Sequence, residues 1–203
     1  MKKIKTLLFT IFLLAGSSAI AQTGQLSSKT EQPRKFKHNQ QIEEKYDKFD
    51  DETTIELTMQ LTGTLNKSSE PINMFNTDGL ILQVGRSFQG RKESSPASSN
   101  DNLIFTETSY LSATYNDSST LIFLVDGERI IVDKTGFEEA KYVSRPVGKR
   151  IFELLGFQIN YKTLIKISTA KTVEGRLGKT EFVLTKDQLE AIQDYISRLE
   201  SYK

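Results

Sequence analysis

From Thr53 to Leu65 apolar and polar residues alternate. Ile55, Leu57, Met59, Leu61 and Leu65 share one parity, and Glu56, Thr58, Gln60, Thr62 and Thr64 share the other. A period of two predicts a strand with one buried and one wet face. The threonines suit the wet face because β-branching favours extended backbone. Gly63 interrupts the buried parity and is the expected site of a bulge or close backbone approach. Leu80–Gly85 reads as a short second strand, and residues 102–117 return to strand composition. Between them, "RSFQGRKESSPASSND" is polar and serine-rich, which predicts a surface loop.

The sharpest local pattern is "LIFLVDGERIIVD", Leu121–Asp133. Asp-Gly is a preferred pair for a two-residue type I′ hairpin. That turn pairs Val125 with Glu128, Leu124 with Arg129, Phe123 with Ile130, Ile122 with Ile131 and Leu121 with Val132. Leu121, Phe123, Val125, Ile130 and Val132 then share the core face. Ile122, Leu124 and Ile131 crowd the other face beside Arg129. The hairpin is therefore expected to be central in its sheet, or covered on its second face by a later segment or a partner. Asp126 is explained by the turn and Glu128 by the tip. Asp133 lies at the far end of the ladder, so the three acids do not form a cluster.

Residues 137–159 are ambiguous. Phe137, Ala140 and Val143 fit a helix, yet "AKYVSR" and "RIFELLGFQI" both fit strands. Pro146 biases Arg145 away from helix, so two strands with a short turn are expected. Asn160 can cap a helix over "YKTLIKISTA". "KTVEGRLGKTEFVL" reads as two short strands joined near Leu177-Gly178-Lys179. Thr185 and Gln188 form a capping box before a terminal helix, with Asp187 in its first turn and Arg198 near its end. Leu189, Ile192, Ile196 and Leu199 recur at helical spacing, with Tyr195 on the flank. These elements predict an α+β fold: a single largely antiparallel sheet covered by a short helix and a C-terminal helix.

The start of the chain reads differently. Lys2, Lys3 and Lys5 precede an apolar run, Leu7–Leu14, and Ala19-Ile20-Ala21 fits a small-x-small cleavage site. Residues 1–21 are expected to be a signal peptide, with Gln22 the first mature residue and no integral membrane segment left after its removal. No cysteine follows the run, which excludes a lipobox anchor. Residues 22–45 are expected to be a polar, partly disordered tether, with room for a helical turn in "NQQIEEKYDKF". Residues 46–203 are read as a single domain.

Loss of three lysines with the signal turns 27 basic against 26 acidic side chains into 24 against 26. No bias toward nucleic acid remains, and none is expected as a partner. With no cysteine in an exported chain, stability must come from burial and hydrogen bonds.

Candidate chemistry is sparse. His38 is the only histidine, so zinc sites of His and Cys are excluded, and it is expected to be a solvated tether residue. "DKFDDE" gathers Asp47, Asp50, Asp51 and Glu52, read as a solubilising acidic cap, while Asp78, Asp101 and Asp117 fall in loops. Glycosidase chemistry needs two carboxylates across a cleft, and no tryptophan flags a sugar groove. "NTDG" and "DDET" lack the alternating oxygen ligands of a calcium loop. Gly175–Lys179, "GRLGK", lacks Walker spacing and reads as a turn, although Arg176 has a guanidinium suited to a carboxylate or phosphate. Arg145–Arg150 is a small basic cluster, read as a solvated rim. Asn66 and Asn116 open glycosylation sequons. No catalytic, cofactor-binding or metal-ligating residue is assigned, and no cofactor is expected.

Three features recur in a fixed order: Tyr46, Asp47, Phe49, Asp51, Thr53 and Thr54; then Asp126 and Gly127; then Arg176, Leu177 and Gly178 before the last helix. Over residues 46–200 this resembles a group of small secreted or lipoprotein-like bacterial α+β domains with no established activity. The serine-rich stretch at residues 88–101 departs from their compact pattern. The resemblance implies a fold and supplies no catalytic residue. The expected function is an exported, non-catalytic binding or structural domain at the bacterial cell envelope, periplasmic or extracellular, with a protein or envelope component as partner. The alternatives are a carboxylate-dependent hydrolase, and a carrier of a small apolar ligand held between sheet and helix.

Overall fold

Alternation of buried and exposed positions builds the strands. The computed structural model describes residues 36–61, 79–91, 100–109, 114–116, 118–132, 142–147 and 150–202. All fall within one unit, Arg34–Lys203. The chain runs through β1 (Gln41–Asp47), β2 (Glu52–Gln60), β3 (Gly79–Gln89), β4 (Asn100–Ser109), β5 (Leu121–Val125) and β6 (Glu128–Val132). It continues through β7 (Tyr142–Val147), β8 (Arg150–Asn160), α1 (Tyr161–Thr169), β9 (Val173–Leu177), β10 (Thr180–Val183) and α2 (Lys186–Ser201).

The expected α+β character holds, but the single sheet does not. There are two antiparallel sheets: six strands in the order β1-β2-β3-β4-β8-β7, and four in the order β10-β9-β5-β6. The physical reason is that the alternation of a strand fixes its faces and leaves its partners open, and the partners here are distant in sequence: β4 pairs with β8, and β5 with β9.

In the large sheet, apolar rows cross four strands. Leu57, Val84, Leu103 and Phe157 form one row, and Met59, Leu82, Phe105 and Leu155 form the next. All eight are buried, each contributing about 1.5–3 kcal/mol of burial free energy before entropy is counted. In the small sheet, Phe182, Gly175, Phe123 and Ile130 line up. Phe182 lies 6.2 Å from Phe105 and 6.1 Å from Phe123, ring centre to ring centre, so these rings join the sheets. α2 packs on β2 and α1, and its Leu189, Ile192, Tyr195 and Leu199 enter the same core.

Within the ambiguous segment 137–159, β7 and β8 pair as the expected hairpin, and residues 137–141 lie outside the described residues. Pro146 sits on β7, an edge strand, where its missing N–H costs least. Asn160 caps α1 by accepting the Thr163 N–H at 2.8 Å, and the Thr185–Gln188 capping box is complete. Two local expectations are corrected. "RSFQ" is not loop but the end of β3, paired to β2 as far as Gln89 with Glu52. "NQQIEEKYDKF" holds no helix: from Gln41, inside the segment read as a tether, it is strand β1, paired along its length to β2. Gly63 and the signal peptide lie outside the described residues.

Candidate functional site

The 121–133 hairpin has the anticipated register, pair for pair. Asp126 and Gly127 both adopt positive φ, 49° and 84°, as a type I′ turn requires. Asp126 also has a second role. Its Oδ1 accepts the Lys171 and Thr172 N–H groups, both at 2.9 Å, and its own N–H donates to the Thr172 carbonyl. The Thr172 backbone bond, followed by that of Lys171, holds the Asp126 carboxyl below its ordinary range despite an opposing desolvation effect. Glu128 pairs with Lys166 on α1 at 2.5 Å, both exposed. Asp133 lies outside the described residues.

β5 lies between β9 and β6 in the small sheet, and most of the described residues on that sheet's second face are exposed. One row across it reads Val183, Glu174, Leu124 and Arg129, and the next Glu181, Arg176, Ile122 and Ile131. Ile122 is buried, but Leu124 is 38 % exposed, Ile131 52 % and Val183 61 %. Arg129, Glu174, Arg176 and Glu181 are exposed around them. The surface combines aliphatic side chains with two guanidinium and two carboxylate groups. It can bury apolar area and form charged hydrogen bonds together.

Three polar clusters serve the fold. Arg86 and Asp101, both read from sequence as loop residues, are buried and paired, and the Tyr195 hydroxyl donates to Asp101 Oδ1 at 2.7 Å. Glu153 is buried opposite Glu107 in the β8–β4 register, and its two oxygens accept the N–H groups of Thr114 and Tyr115 at 2.7 and 2.9 Å. Burial first, and then the bond to Glu107, pushes the Tyr115 phenol far above its usual range. The third cluster corrects the reading of His38 as a solvated residue. Its side chain is 7 % exposed, and Nε2 lies 3.1 Å from Asp194 Oδ2 on α2. Nearby, the Lys37 and Asn39 N–H groups donate to Glu190 and Asp187 of the same helix. Polar neighbours disguised this strap, because its partners lie some 150 residues away in sequence.

The remaining sequence candidates separate. Asp47 and Asp51 shape the β1–β2 turn: Asp47 Oδ1 accepts the Phe49 N–H, and Asp51 Oδ1 accepts the Tyr46 hydroxyl. "GRLGK" is not wholly a turn: Gly175, Arg176 and Leu177 end β9, and Gly178-Lys179 connects it to β10, with Gly178 at φ 58°. Arg145 and Arg150 pair within the β7–β8 hairpin with Phe152 and Val147. Asn116 Oδ1 accepts the Ser118 N–H and hydroxyl. Asn66, Asp78 and Asp117 lie outside the described residues. Among the described residues, no group of three or more His, Cys, Asp or Glu is placed to hold a metal ion. No described helix is long and apolar enough to cross a membrane. Compared with family models, curated proteins and solved structures, the chain finds no match.

Proposed function

We propose that this chain is an exported, non-catalytic binding domain that acts at the bacterial cell envelope, with a protein as its partner. The observation that carries the reading is the outer face of the small sheet, where Leu124, Ile131 and Val183 stand exposed among Arg129, Glu174, Arg176 and Glu181. Aliphatic groups ringed by charge of both signs suit a protein interface, with an apolar centre and a polar rim. Export rests on the basic start, apolar run and small-residue site of residues 1–21.

The test places a photo-crosslinking residue at Ile131, and separately at exposed Lys162 on α1, in the full chain in cells. The expected result is an envelope-protein adduct from position 131 that position 162 does not form. Leu124→Ser with Val183→Thr should abolish it. Equal adducts from both positions, or a cytoplasmic product that retains residues 1–21, would sink the reading.

A further inference from the structure

The β1–β2 turn is held by several hydrogen bonds, within itself and to the end of β3. Asp47 Oδ1 accepts the Phe49 N–H at 2.8 Å, and the Tyr46 hydroxyl donates to Asp51 Oδ1 at 2.8 Å. Gln89 at the end of β3 donates its Nε2 to the carbonyls of Asp50 and Asp51, at 2.9 and 3.1 Å. The Gly90 N–H reaches the Asp51 carbonyl, and the Thr53 hydroxyl donates back to the Gly90 carbonyl at 2.6 Å. The Arg91 guanidinium covers the Tyr46 ring at 4.2 Å. Tyr46, Asp47, Asp51 and Thr53 thus each have a local role.

Phe49 has no such role in the core. It is 86 % exposed at the tip of the turn, with the Lys48 ammonium 5.0 Å from its ring centre. A phenylalanine on a mobile loop can fold back on its own chain. Here Asp50 and Asp51 on one side are tied to Gln89 and Gly90, and Asp47 on the other is paired to Glu52 of β2, so the backbone that carries the exposed ring is held. An aromatic side chain fixed in its binding position loses little entropy when a partner covers it, which is the property of an interface anchor. The net charge of the turn is negative, with the Lys48 ammonium and the Arg91 guanidinium lying against its aromatic rings. Residues 47–52 hold four carboxylates and one lysine. Such a rim repels an anionic lipid surface and attracts a cationic one.

We propose that Phe49 is the anchor of a second docking surface, inserting into an apolar pocket rimmed by lysine or arginine on a protein partner. Its Asp50 and Glu52 neighbours face those cations. The surface is built on β1, β2 and the end of β3, not on the small sheet, so it stands or falls separately from the outer face around Ile131.

The experiment replaces Phe49 with benzoylphenylalanine in the full chain and irradiates intact cells, with the same residue at exposed Ser197 as control. The expected result is an adduct with one envelope protein, mapped to a segment where apolar residues neighbour lysine or arginine. It should be absent from position 197. Asp50→Lys with Glu52→Lys leaves the bonds that lock the turn in place and should cut adduct yield at least about tenfold. With the captured protein purified, Phe49→Ala should weaken binding about thirtyfold with an unchanged unfolding midpoint. No adduct at position 49, an adduct with lipid or with a second copy of this chain, or a yield indifferent to the charge reversal overturns the proposal. A positive result at Ile131 does not rescue it, and a negative result there does not harm it.

Discussion

Arg86 and Asp101 meet across β3 and β4 as a two-pronged ion pair, Nε to Oδ1 at 3.1 Å and Nη2 to Oδ2 at 2.6 Å, with side chains 3 % and 0 % exposed. Tyr195 of α2 donates to the same carboxylate, and Arg86 lies 4.8 Å from the Tyr161 ring centre at the start of α1. One charge pair therefore ties two strands to both helices. Two-pronged geometry makes a strong pair, but burial costs each ion its hydration. The two effects predict an asymmetry. Asp101→Leu leaves the guanidinium buried without this carboxylate and should cost about 3–5 kcal/mol. The double variant Arg86→Met with Asp101→Leu should recover most of that loss. Urea unfolding of the three proteins decides it: a single variant within about 1 kcal/mol of the parent contradicts a desolvated pair.

Gly175 is required by the ring opposite. It pairs with Phe182 across β9 and β10, and a Cβ at Gly175 would lie 2.1 Å from Phe182 Cζ. The ring is lodged between Phe105 and Phe123, so it has little room to retreat. Gly175→Ala is expected to lose about 1–3 kcal/mol by overpacking. Phe182→Leu leaves a partial cavity of its own, yet together with Gly175→Ala it should cost less than the sum of the two changes. A double-mutant cycle measures that coupling. Simple additivity would mean that the ring moves aside freely.

The elements whose signals are local were legible in sequence. The Asp126-Gly127 turn, the Thr185–Gln188 box and the Asn160 cap each depend on residues within a few positions, and their geometry follows from short-range hydrogen bonding. Arg86 shows where legibility stops. It occupies the same parity as Leu82 and Val84, but its charge hid the strand, because the compensating Asp101 lies on the neighbouring strand. His38 was hidden for the same reason, since Asp194 is on the last helix. The split into two sheets was illegible because alternation carries no pairing information. The apolar content of the hairpin's second face was legible, because Ile122, Leu124 and Ile131 could be counted there without knowing which sheet held them; the exposure of Leu124 and Ile131 was not, because a central place or a cover was expected.

Asp126 makes stability depend on acid. Its folded pKa lies below the ordinary 3.8, chiefly through the Thr172 N–H. A group depressed on folding stabilises fully above its unfolded value, and that contribution is lost as pH falls through the folded value. Asp126→Asn tolerates the same positive φ and keeps an acceptor oxygen, but does not titrate. The parent should therefore be more stable than this variant near neutrality, with the gap closing as pH falls from about 5 to about 2. Thermal unfolding at low salt across that range is the measurement, because the carboxylate is exposed and subject to screening. A gap that stays constant with pH removes Asp126 as its source.

His38 fastens the segment before β1 to α2, and the two bonds on its ring fix its tautomer. The Gln40 N–H donates to Nδ1 at 3.2 Å, so Nδ1 must be an acceptor and Nε2 must carry the proton shared with Asp194. Imidazole nitrogen shifts should therefore report the Nε2–H form near neutrality. Asp194 feels this directly. Burial raises its pKa, but the hydrogen bonds from Arg198 and then His38 outweigh burial and hold the carboxyl below its ordinary value. His38→Phe retains an aromatic ring and removes both bonds. It should raise the Asp194 pKa, speed amide exchange at Lys37, Asn39 and Gln40, and cost about 0.5–1.5 kcal/mol. Carbon-detected titration of Asp194 separates this from a loss of packing alone. If the variant is less stable but Asp194 titrates as before, His38 acts by filling space and not by its hydrogen bonds.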